Sequence, residues 1–393
     1  MLLSNISAHL LPLISSPQFH ASTLCPQQTC LNATQLHAVG LATLAGEILE
    51  TFDQLGLGLE IDGRSDGLKV TREGLLNLVT RVVNPLIASI QSELLPLIGG
   101  LEKSSPIGRS GSGLNSRIVK TPTPHPSMVA LHAVVPLYAG GLAKIAAVDA
   151  AQSSLGAMLI ALVWHGLVAL AHRPLTSGSP PASPKLTSAT AKPKIKSSPT
   201  PPASPSPRFM TIIPPSRPST PPNPQAGSSL PGDARALLDM LGLIAKPSKD
   251  KAAGPLASEA VDEAFAALES LVSLFDFIYS NPRPEGALNF EQLEAHLIAV
   301  TDDLPTLIGL QILLRAYVAR GGSQEGGDSR SVASMLGMAE EPYRANCLTG
   351  FNRADECEEV VGKHIIRDLR NDSATLGAAM VANWLERQIR DVR

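Results

Sequence analysis

Asp62, Asp66 and Glu73 hold the first, fifth and twelfth places of Asp62-Gly-Arg-Ser-Asp66-Gly67-Leu-Lys-Val-Thr-Arg-Glu73. That is the outline of a twelve-residue calcium loop, in which oxygen ligands recur at fixed places and a glycine at the sixth makes the sharp turn. Two places depart from it. Arg64 stands where the third ligand belongs, and Lys69 where an apolar residue should pack. With cations at both places, the stretch reads as a polar turn between helices, a glycine supplying the positive-φ corner. Asn281 to Gln292 is a fainter version, again with an arginine, Arg283, at the third place. No metal and no cofactor is therefore expected.

The other residues of reactive type are scattered. His20, Cys25, Cys30 and His37 lie too far apart for a tight zinc knuckle, and Cys357 with His364 would share only one helix face. Gly108 to Gly113 is a Gly/Ser cluster that follows no strand and lacks the ending of a phosphate loop. Asp302-Asp303, just before Leu304-Pro305, reads as a helix break rather than an acid/base pair.

The densest interaction chemistry lies in a segment rich in proline, serine, threonine and lysine. Seven Ser/Thr-Pro steps, at Ser179, Ser183, Ser198, Thr200, Ser204, Ser206 and Thr220, are candidate targets for a proline-directed kinase. Lys196, Pro199 and Pro202 fit the basic-x-x-Pro-x-x-Pro pattern that an SH3-like groove reads as polyproline II. Six basic residues and no acidic one fall between Pro174 and Gly232, in a chain whose net charge is −3. The remainder is mildly acidic. Phosphorylation would turn the basic strap acidic. The lysines are sparse and lack interleaved aromatics, so specific nucleic-acid binding is not expected.

That segment also divides the chain. With few large apolar residues it cannot bury enough surface to offset its ordering entropy, so residues 173–232 are expected to be a disordered linker. On either side leucine, alanine and valine recur at helical spacing. Thr34 is expected to cap a helix through Leu36, Val39, Leu44, Ile48 and Leu55. A second helical region, about Thr71 to Ile98, contains Pro85 and Pro96, which should kink or divide it. A third, Met128 to His172, should break near Pro136 and Gly140-Gly141. Beyond the linker, Ser258 is expected to cap a helix whose inward stripe is Val261, Phe265, Leu268, Val272, Phe275 and Tyr279. Asn289 with Gln292 has the look of a capping box for the next, and Trp384 sits in the stripe of the last.

At 393 residues with 44% hydrophobic but only 4% aromatic residues, the chain suits helices packed on helices. The expected fold is all-α: two helical bundle-like or helical-hairpin domains, 34–172 and 233–393, joined by the linker. Residues 1–33 form a partly ordered N-terminal segment, and 321–330 a Gly-rich loop. Four cysteines are too few for a disulfide scaffold. The leading expectation is a non-enzymatic scaffold or assembly subunit of cytoplasm or nucleus, binding other proteins. The alternative is a single-pass membrane protein. Ala150 to His172 carries no formal charge and is long enough to cross a bilayer, with Arg173 and the lysines following it.

Overall fold

Apolar residues three and four positions apart can hide from water while their backbone stays hydrogen-bonded only if the chain winds into helices packed face to face. The computed structural model describes residues 1–21, 31–58, 66–103, 125–174, 229–251, 254–281, 290–318, 330–371 and 375–391. Among them there are helices and no strand, so the all-α expectation holds.

Four helices precede the core. They are α1 (Leu2–Ser15), α2 (Ala33–Gln54), α3 (Asp66–Gly99) and α4 (Pro126–Ala146). The cap of α2 is Asn32, not Thr34. Asn32 Oδ1 accepts the Gln35 amide at 2.9 Å, and Gln35 Oε1 accepts the Asn32 amide at 3.0 Å. The reciprocal pair satisfies two donors that Thr34 alone could not. The inward face of α2 is Ala38, Val39, Ala42, Ala45 and Leu49, while Leu44 and Leu55 are exposed. Small side chains let α2 lie close on α3, which explains why the larger leucines are not the ones buried. Gly56 and Gly58 end α2 at φ +64° and +74°, and a Cβ on Gly58 would stand 3.2 Å from the Leu68 backbone. Neither Pro85 nor Pro96 divides α3, nor does Pro136 divide α4. Each proline forfeits one backbone bond, but buried Val79, Val82, Leu86, Ile90 and Leu94 hold α3 along its length. The chain breaks later, in a short 3-10 turn at Asp149–Ala151.

The core forms around α5 (Gln152–His172), the uncharged helix. Leu155, Met158, Leu159, Leu162, Val163, Leu167 and Leu170 are all buried, each contributing roughly 1.5–3 kcal/mol. It packs against α3 and, beyond the 175–228 segment, against α6 (Leu230–Leu241), α7 (Gly254–Ser280) and α9 (Thr306–Leu313). The contact with α6 is close: a Cβ on Gly166 would meet Leu237 Cδ2 at 2.7 Å. Ser258 is buried inside α7, which begins at Gly254, so it caps nothing. The expected stripe of α7 is buried except for Tyr279, and Leu271, Leu274 and Ile278 are buried beside it.

The remaining helices are α8 (Phe290–Val300), α10 (Val332–Met335), α11 (Glu340–Cys347), α12 (Phe351–Asn371) and α13 (Leu376–Asp391), with a π-helical turn at Leu314–Val318 after α9. Trp384 of α13 is fully buried, its Nε1 donating to Thr301 Oγ1 at 2.9 Å. Residues Met1–Leu175 and Ala226–Arg393 cluster as one compact unit. The sequence leads one to expect two helical domains; here α5 of the first half is buried by α6, α7 and α9 of the second. Trp164 Nε1 of α5 donates to the Leu348 carbonyl at 2.8 Å, and Ser248 donates its amide to Gln152 Oε1 at 2.7 Å. The second unit, Thr176–Gln225, lies outside the described residues.

Candidate functional site

Two places gather charge that an apolar helical body does not need for its own stability. The first is the root of the 175–228 segment. Arg173, the residue that ends α5, is buried, and its guanidinium pairs with Asp233 in the first turn of α6. Both side chains are only 7% exposed. Arg315, on the π-helical turn, donates from Nη1 to the Ala171 carbonyl at 3.1 Å and the Arg173 carbonyl at 3.4 Å. A cation at a helix C-terminus satisfies carbonyls that the helix itself leaves open. Burial draws the Arg315 guanidinium below its ordinary range. The two ends of the segment are thus tied to one another and to the body. The described residues continue from Ser229, whose Oγ accepts the Gly232 amide at 3.2 Å, and Leu230 is buried. Arg173, Pro174 and Ser229 to Gly232, which fall within the expected linker of 173–232, are among the described residues.

A chain of ion pairs continues from this root. His172 Nε2 lies 2.9 Å from Glu340 Oε1. Arg344 Nε bonds Glu340 at 3.0 Å, and its two terminal nitrogens grip Glu102 at 2.9 and 2.7 Å. The Glu340 carboxyl is held down at about 2, by His172 first and Arg344 after it. Beside this chain the Tyr343 hydroxyl is buried without a hydrogen-bond partner, and burial drives its ionisation upward. Cys347 is a buried free thiol pushed up to about 11, by burial first and then by the Cys357 thiol.

The second place is an open cavity of about 700 Å3 between α7, the turn after α8, and α12. Asp262, Glu263, Asp302, Asp303, Asp355 and Glu358 line it, with no lysine, arginine or histidine.

The residues singled out from sequence are not brought together. Asp62 and the backbone of the expected calcium loop's first places lie outside the described residues. Asp66 begins α3 and Glu73 lies inside it, so the fifth to twelfth places are wound into helix, which removes the loop that would present them. Gly67 has no positive φ; Gly56 and Gly58 do that work. No group of three or more His, Cys, Asp or Glu among the described residues is placed to hold a metal. His20 and His37 are both exposed, while Cys25 and Cys30 lie outside the described residues. His364 faces Asp368 at 3.6 Å, not Cys357. The seven phosphorylation candidates, Ser179 to Thr220, and Lys196, Pro199 and Pro202 lie outside the described residues, as do Gly108 to Gly113 and Asn289.

The charges that do converge carried a sequence signal. Glu340 and Arg344 are four apart on a helix, and Glu358 interrupts the apolar stripe Ala354, Val361, Ile365, Leu369. A carboxylate in such a stripe is either buried or displaces the helix.

No family model, no curated protein and no solved structure matches the chain.

Proposed function

We propose that this chain is a non-enzymatic helical scaffold or assembly subunit that offers the Ser/Thr-Pro steps of residues 175–228 to partner proteins from a fixed base. The observation that supports this is the buried Arg173–Asp233 pair. A spacer between independent bodies has no need of a shared root, whereas a recognition segment held at both ends by a rigid body has its position fixed. Each phosphate would add about −1.5 to −2 charges to a strap that begins basic, giving the partner a switchable signal. A cytoplasmic or nuclear location accords with this reading.

Affinity capture of the tagged chain from its own cells, with and without residues 175–228, tests it. Loss of the main partners on deletion is the expected result. An unchanged set of partners contradicts it.

A second reading, a membrane protein, draws on three helices long and apolar enough to cross a bilayer: Gly67–Glu102, Pro126–Ala146 and Asp149–His172. The span expected from sequence is the most enclosed of the three. The structure buries 67% of its apolar window, against 39% for each of the others. Carbonate extraction separates the readings: release sinks the membrane protein, and retention sinks the simple soluble scaffold.

A further inference from the structure

Five carboxylates around the acidic cavity have no ion-pair partner among the described residues: Glu263 on α7, Asp302 and Asp303 after α8, and Asp355 and Glu358 on α12. The sixth, Asp262, is neutralised by Lys246 at 3.0 Å and Lys249 at 3.2 Å. Glu358 is the informative one. It is only 8% exposed, and its Oε1 has no hydrogen-bond partner. A buried acceptor left unmade is costly, more so when charged. Burial pushes the Glu358 carboxyl above its ordinary range, with the Thr306 hydroxyl pulling the other way; burial alone raises Asp355.

The spacing of the acids selects among cations. No three of them are close enough to cage a metal ion, so the matching charge must be spread over the cavity rather than concentrated at a point. Between them the lining mixes apolar groups, Ile160 from α5, Ala264 from α7, Leu304 and Phe351, with the neutral polar side chains of Thr306, Asn352 and Gln388. A volume of about 700 Å3 is that of a small-molecule site.

We propose that this cavity binds a linear aliphatic polyamine. One ammonium group would supply Glu358 Oε1 with its missing donor beside Asp355, the methylene chain would cover Ile160 and Phe351, and a second ammonium would meet Asp302 and Asp303. An ammonium group offers three donors and no acceptor, which suits walls that carry six carboxylates and no cationic side chain. The site is independent of the 175–228 segment and of the scaffold reading.

Titration calorimetry of spermidine into the full chain at physiological salt tests the proposal. Saturable binding at one site per chain is expected. Glu358→Gln should weaken it by about tenfold or more, since a charge-assisted bond becomes a neutral one. Glu47→Gln, exposed on α2 and away from the cavity, should leave it unchanged. If Glu358→Gln does not fold, the exposed Asp355→Asn is read in the same way. The proposal is overturned by any of four results: no saturable binding, equal affinity in the cavity variant, magnesium binding as tightly as spermidine, or a tri-lysine peptide binding more tightly than the free polyamine.

Discussion

Asp233→Ala removes one partner of the Arg173–Asp233 pair and leaves behind a guanidinium that is 93% enclosed. Breaking a buried pair from one side costs about 3–5 kcal/mol, because the desolvated charge stays behind. Asp233 also sits in the first turn of α6, where a negative charge is favoured by the helix dipole, adding about 0.3–1 kcal/mol. A native domain has only about 5–15 kcal/mol in total, so the loss is a large share. Urea unfolding followed by far-UV circular dichroism reads it directly. At a slope of about 3 kcal/mol per molar urea, the midpoint should fall by about 1 M or more. The double variant Arg173→Met with Asp233→Leu, which replaces the pair by apolar side chains, should recover most of the loss. A single-variant cost below about 1 kcal/mol, the size of a solvated surface pair, would refute the claim that the root is clamped.

Three further outcomes follow from the same geometry. Glu340, lowered from 4.5 to about 2, contributes stability that is present above about pH 4.5 and lost as the pH falls toward 2; Glu340→Gln should flatten the acid limb of a stability–pH curve in that window. Because the Glu340 side chain is 34% exposed, its cost at pH 7 should stay near 1 kcal/mol or less, and an unchanged acid limb would contradict the assignment. Gly377→Ala would set a Cβ 2.7 Å from the Tyr317 carbonyl oxygen, a backbone atom that cannot swing aside, and should cost about 1–3 kcal/mol in thermal unfolding. Iodoacetamide at pH 8 should label half-buried Cys357 and spare buried Cys347, whose thiol burial pushes up to about 11; peptide mapping that finds equal rates would count against it.

Periodicity made the helix class legible, because an apolar stripe at three- and four-residue spacing has one structural solution. The stripe of α7, Val261 to Phe275, is buried as its spacing requires. Boundaries were less legible, since they turn on single side chains with competing choices: Asn32 rather than Thr34, and Gly254 rather than Ser258. The unbroken run of α3 through Pro85 and Pro96 depended on tertiary burial that no local rule contains. So did the union of the two halves. α5 is apolar on every side, which a bilayer or a surrounding core satisfies equally well, and only the positions of α6, α7 and α9 decide how the described body buries it. The acidic cavity was invisible because its walls come from α7, the turn after α8, and α12, far apart in sequence. Glu358, alone in an apolar stripe, was the one trace of it.

The claim that both sides of the segment form a single body with a shared root can be tested by cutting the chain. With a protease site placed within residues 176–225 and cleaved to completion, size-exclusion chromatography of the native protein should return both fragments in one peak, with an unfolding midpoint close to that of the uncut chain. Two separate peaks, each holding a folded fragment, would contradict the account.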